Sequence, residues 1–117
     1  MLLTLNSILL LFSAASFLFY GINSFTSKFI IREFLRYGIP EYRILTGWLQ
    51  LLGSLGIIVG FRFNYIQVIS TGGLGLLMLF GIITRILIKD SFLKTLPALL
   101  YCLLNTYLFI ELVTDSL

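Results

Sequence analysis

Four stretches without a charged side chain, residues 1–27, 44–61, 63–84 and 95–110, decide what this chain can fold into. A helix crossing a bilayer needs about 20 mostly apolar residues. The first three runs are long enough as they stand. The fourth becomes so if Lys94 and Glu111 sit at the two interfaces, the lysine stem snorkelling outward. Water is the wrong solvent for the rest of the composition as well. Apolar residues make up 59% of the 117 positions and charged residues 11%, well below what a soluble surface of this size carries. The expected fold is all-α, an integral membrane four-helix bundle in one domain spanning 1–117, with helices over about 3–24, 43–61, 64–87 and 94–114. The start, MLLTLNS, has no basic region, so the first run reads as a retained span rather than a cleaved signal.

Residues 32–43, REFLRYGIPEYR, hold five of the thirteen formal charges in twelve positions. Their periodicity predicts a short amphipathic interfacial helix over about 27–37 between the first two spans. Ile30, Phe34 and Tyr37 share one side, and Lys28, Arg32 and Arg36 recur every four residues on another. Gly38 ends it, and Pro40 re-aims the chain into the next span. Lys28, Arg32, Arg36 and Arg43 are candidates for docking a lipid head group or a partner protein.

Basic residues set the expected orientation. Lys28, Arg32, Arg36, Arg43, Arg85, Lys89 and Lys94 lie in or beside the first and third connections, whereas the second has only Arg62. The positive-inside rule then puts connections 1–2 and 3–4 in the cytoplasm and both ends of the chain outside, in a bacterial inner membrane.

Helices in lipid associate through close packing of small residues and through polar contacts, so faces bearing such residues point inward. On the first span these are Asn6, Ser13, Ser16, Tyr20 and Asn23. The second carries Gly47, Gln50, Gly53, Ser54, Gly56 and Gly60. Gln67, Thr71, Gly75, Met78, Gly81 and Arg85 line up on the third, and Ala98, Tyr101 and Asn105 on the fourth. The structural reading of these stripes is polar glue. The functional reading is a pocket with Asn23, Tyr37, Gln50, Arg85, Tyr101 and Asn105 as its candidate residues. Arg85 is the most telling, because a charge at membrane depth needs a partner or a route to water. Glu33, Glu41, Gln50, Asn23 and Tyr37 are its expected neighbours.

Several chemistries are excluded. One cysteine, Cys102, leaves no reactive pair for thiol–disulfide exchange, and the absence of histidine rules out bis-histidine haem. No Asp, Glu, His or Cys cluster has metal-ligand spacing, so no intrinsic cofactor is expected. A net charge of +3 at a membrane surface does not suggest nucleic-acid binding.

GINSF, EFLRYGIP, TGWLQLLGSLGI, GIITRILIKDSF and LPALL, in this order over about 20–100, resemble the DoxX and DoxX-like family of small four-helix membrane proteins. Some members are similar to the small membrane subunit of a thiosulfate:quinone oxidoreductase. Others look like membrane partners of redox or stress-response proteins, and a distant animal branch acts in receptor assembly. The chain departs from the family pattern at four places. Ser24 stands where a lysine is frequent, Gln50 replaces a glutamate, Arg85 replaces a histidine, and Lys89-Asp90-Ser91 replaces Gly-Asp-Pro. A guanidinium does not exchange protons near neutral pH, so proton-coupled chemistry is not carried over.

The first functional expectation is a non-catalytic accessory or scaffolding subunit, not an enzyme on its own, that binds a membrane protein partner or a second copy of itself. The alternative is a quinone- or lipid-binding subunit of a membrane oxidoreductase. A small multidrug-type transporter is the second alternative, weakened by the lack of an acid in the first span.

Overall fold

The computed structural model describes residues 5–116; residues 1–4 and 117, which include the first two positions of the expected 3–24 helix, lie outside the described residues. Helix α1 covers Leu5–Thr26, α2 Lys28–Tyr37, α3 Arg43–Val59, α4 Asn64–Leu87 and α5 Phe92–Ser116, with a single 3-10 turn at Pro40–Tyr42. Four of these, with the 3-10 turn extending α3, are long and apolar enough to cross a bilayer. Large apolar side chains such as Leu52, Ile69, Phe80 and Leu103 cover the outside, where acyl chains replace water as their solvent. The molecule is a four-helix membrane bundle with α2 lying across one end.

The helices form a ring. Sequence neighbours α3/α4 and α4/α5 pack together, α1 packs along α3, and α5 returns to α1 over a shorter seam. Glycines let the backbones approach. A Cβ on Gly21 would stand 2.8 Å from Leu51 and 3.2 Å from the Gly47 carbonyl oxygen. One on Gly60 would stand 2.7 Å from both the Gln67 Cα and its amide nitrogen, a contact only glycine permits.

The expected polar face of α1 meets α5: the Tyr107 hydroxyl donates to Asn6 Oδ1 at 2.9 Å, Ser13 pairs with Asn105, Ser16 with Tyr101, and the Tyr20 ring packs on Tyr101. Helix α1 meets α3 along a second, more buried stripe. Its buried positions are Ser7, Leu10, Ser13, Ala14, Phe17, Gly21 and Ser24. Apart from Ser13 these repeat at alternating spacings of three and four, the seam of a left-handed bundle. That stripe is rotated by about a quarter turn from the Asn6–Asn23 arc, at 100° per residue. Close approach of α3 governs the rotation, because Ser7, Ala14 and Gly21 admit it and the larger Asn6, Tyr20 and Asn23 do not. The α4 stripe matches its expected face: Gln67, Thr71 and Gly75 are buried.

Away from α2 the interior is dense. Phe17, Ile57, Leu74 and Leu108 are almost completely buried together. The polar groups among them are all paired. The Ser13 hydroxyl donates to Asn105 Oδ1 at 2.9 Å, and Asn105 Nδ2 donates to the Tyr101 carbonyl at 2.9 Å. Ser54 donates to the Ala14 carbonyl at 2.6 Å, and Gln67 Nε2 to the Ile57 carbonyl at 3.0 Å. Among the described residues no fully buried side-chain nitrogen or oxygen lacks a partner. In hydrocarbon an unpaired one costs several kcal/mol, by order of magnitude.

Candidate functional site

The site begins with the way α2 is held. Ser27 caps its start, its hydroxyl oxygen accepting from the Ile30 N–H at 3.4 Å. Gly38, at φ +80°, ends it: the Gly38 N–H donates to the Leu35 carbonyl and the Ile39 N–H to the Phe34 carbonyl. That paired arrangement is a Schellman motif, and glycine takes the left-handed position without strain. The α4 end repeats it with a different residue. Lys89 takes φ +57°, the Lys89 N–H donates to the Ile86 carbonyl, and the Asp90 N–H donates to the Arg85 carbonyl at 2.8 Å. This reversal turns Asp90 back beneath α2.

Asp90 is the hub of the resulting ion cluster, its side chain only 5% exposed. It accepts from Arg85 Nη1 at 2.8 Å and from both terminal nitrogens of Arg36, at 3.3 and 3.1 Å. Arg36 Nε also donates to Glu33 Oε2 at 2.6 Å. Lys94 approaches the hub at 4.0 Å from the solvent side. The guanidiniums of Arg36 and Arg85 lie 5.3 and 5.2 Å from the centre of the Tyr37 ring. Bonds from Arg36, and then from Arg85, hold the Asp90 carboxyl below its ordinary range against the opposing effect of burial. The same two carboxylates raise the Arg36 guanidinium, and burial pushes the Tyr37 phenol up.

Beneath this roof lies a cavity of about 370 Å³ bounded by all five helices. Phe29, Phe34, Met78, Phe80 and Tyr101 give it apolar and aromatic walls, and Ser24, Glu33, Tyr37, Gln50 and Arg85 gather polar groups toward α2. Tyr101 stacks its edge on Phe17 and Tyr20, at 5.4 and 5.6 Å between ring centres, and its hydroxyl donates to Ser16 at 3.0 Å. Pro97, inside α5, also lines the cavity and lacks an N–H for the Leu93 carbonyl. The volume and mostly apolar lining suit a small amphiphile.

Four of the six pocket candidates, Tyr37, Gln50, Arg85 and Tyr101, border this cavity, and two do not. Asn105 is fully buried in the dense half, bonded to Ser13 and Tyr101. Asn23 follows the rotation of α1 away from the cavity. Tyr20 and Ser24 line it from α1, Tyr20 from the expected polar face and Ser24 from the stripe toward α3. The partner of Arg85 differs from the expected set as well. Tyr37 stands beside it, but the bridging anion is Asp90, while Glu33 pairs with Arg36 and Glu41 is exposed. The four docking candidates also divide. Lys28 and Arg32 are exposed. Arg36 belongs to the cluster, and Arg43 Nη1 donates to the Ser24 carbonyl, satisfying an orphan oxygen at the end of α1.

Comparison with known proteins gives one result. The model of the DoxX-like family matches residues 8–107. No curated protein and no solved structure matches the chain.

Proposed function

The chain belongs to the DoxX-like family, and from that premise we propose that it is a non-catalytic accessory subunit of a membrane complex whose cavity holds a lipid-soluble amphiphile, a quinone or a lipid. Any chemistry on that molecule would come from a partner protein, because this chain brings no evident cofactor ligand. The supporting observation is the cavity of about 370 Å³, walled by aromatic rings and bearing polar groups at one end only. In the proposed orientation that end and α2 face the cytoplasm of a bacterium, from the inner membrane. The outward-facing Lys28, Arg32, Lys89 and Lys94 on this side, against Arg62 on the other, fit that orientation.

The test is mass spectrometry of the full chain purified in mild detergent, beside Ala98→Phe, which fills the cavity from α5. The wild type should carry one quinone or lipid that the variant has lost. A wild type with no bound amphiphile, or a variant that retains it equally, would refute the proposal.

A purely architectural scaffold is the second reading. It is favoured by the Arg85–Asp90 pair, which leaves the arginine without need of an anionic ligand. Recovery of a stable complex with a larger membrane protein by both wild type and Ala98→Phe would favour it.

A further inference from the structure

The charges at the cavity cancel. Glu33 and Arg85 border it, and each already has its counter-ion: Glu33 is bonded to Arg36 at 2.6 Å, and Arg85 to Asp90 at 2.8 Å. Arg36 closes the cluster onto Asp90 at 3.1 Å. The charges of the lining itself, Glu33 and Arg85, thus sum to zero, and Arg36, Asp90 and the 56% exposed Lys94 lie outside the lining. An anionic head group entering here would have to share Arg85 with Asp90 or displace it, and either leaves one negative charge in excess in a mostly apolar enclosure. A cationic head would have to take Glu33 from Arg36. Each outcome leaves a charge uncompensated where water is scarce.

What the cavity offers instead is a neutral hydrogen-bonding group. Gln50 is 8% exposed, and its Oε1 accepts from the Ser24 hydroxyl at 3.1 Å. The single Ser24 proton is shared with the Tyr20 carbonyl at 3.0 Å, so the Gln50 amide, which borders the cavity, keeps hydrogen-bonding capacity for a ligand. The Thr46 and Thr84 hydroxyls donate to their own helices, to the Tyr42 and Phe80 carbonyls.

We infer that the cavity selects an uncharged amphiphile, with a hydrogen-bonding head at Gln50 and an apolar body among the aromatic walls, and excludes anionic lipids. The inference rests on the amphiphile-binding reading above and narrows it. A quinone and a neutral lipid alcohol share this chemistry.

The experiment titrates the full chain in neutral detergent micelles at pH 7 with three probes bearing ten-carbon tails: decanol, decyl phosphate and a decyl-substituted benzoquinone. Bound fractions are read by native mass spectrometry. Decanol and the quinone should each bind at least about tenfold more tightly than decyl phosphate. A quinone preference over decanol would identify a quinone as the source, and equal binding a neutral lipid. Gln50→Leu should weaken both neutral probes by about fivefold, the usual worth of one hydrogen bond. Asp90→Asn leaves the lining unchanged but frees a positive charge, and should strengthen decyl phosphate by about tenfold. Wild-type binding of decyl phosphate as tight as that of decanol overturns the inference while leaving an amphiphile site standing, whether or not Asp90→Asn folds. Binding of no probe removes the amphiphile site and the inference with it.

Discussion

The two ends of the bundle solve the same problem differently. Far from α2, polar side chains pair one to one across helices, as Ser13 does with Asn105 and Ser54 with the Ala14 carbonyl, and Phe17, Ile57, Leu74 and Leu108 are buried together between them. Beneath α2, the polar groups gather in a roof of linked charges, and a cavity remains below it. One end is dense because small residues bring the helices together. The other stays open because Tyr20, Phe34, Met78 and Tyr101 hold the walls apart and a fifth helix covers the gap. Close packing and open space are thereby assigned to separate halves of one small fold.

The largest expected effect tests the dense half against the open one. Phe17 is fully buried, so Phe17→Ala should leave a void. Such changes cost about 3–5 kcal/mol in water-soluble cores, and about 2 kcal/mol or more should survive in lipid, where the packing loss remains. Phe34→Ala enlarges a space that already exists and should cost under about 1 kcal/mol, because no new void is made. Unfolding in mixed detergent micelles measures both, and equal losses would erase the distinction.

A glycine pair gives the next effect. Gly60→Ala drives a methyl into the Gln67 backbone and should destabilise by about 1–3 kcal/mol, the usual range for overpacking. Gly73 has nothing within 4 Å of a would-be Cβ, so Gly73→Ala should be neutral or slightly stabilising. The same unfolding assay reads both variants.

The smallest effect concerns pH and is confined to the roof. The Asp90 carboxyl sits below its ordinary value of 3.8. Its contribution is therefore fully present above that value and is lost as pH falls through the lowered one. Cleavage of α2 by pepsin should stay slow from pH 5 to 4 and accelerate below that. In Asp90→Asn it should be fast throughout, apart from the protease's own pH dependence. A wild-type profile identical to that of the variant would show that Asp90 does not hold α2.

Much of this was legible in the sequence. The spans follow from the uncharged runs: α3, α4 and α5 run over Arg43–Val59, Asn64–Leu87 and Phe92–Ser116, against 43–61, 64–87 and 94–114 expected. Helix α2 was legible from its apolar and basic periods and from Gly38. The polar face of α1 was legible as its seam with α5, whereas the closer seam with α3 is marked by small size at spacings of three and four rather than by polarity. The role of Asp90 was hidden because it depends on Lys89 adopting a left-handed conformation that lysine rarely takes. The frequent glycine at that position in the resembling family was the available signal. The cavity was half legible, since Tyr20 of α1, Gln50 of α3, Met78, Gly81 and Arg85 of α4 and Ala98 and Tyr101 of α5 lay on recognised stripes, whereas Ser24 did not.

The bond between Arg36 and Asp90 joins positions 54 apart in the chain. A ribosome delivers the arginine well before its acid. Until the last helical hairpin has been inserted, α2 has no latch, and its apolar side must rest on the membrane surface or on an insertion factor. Biogenesis therefore ends where the roof closes over the chamber.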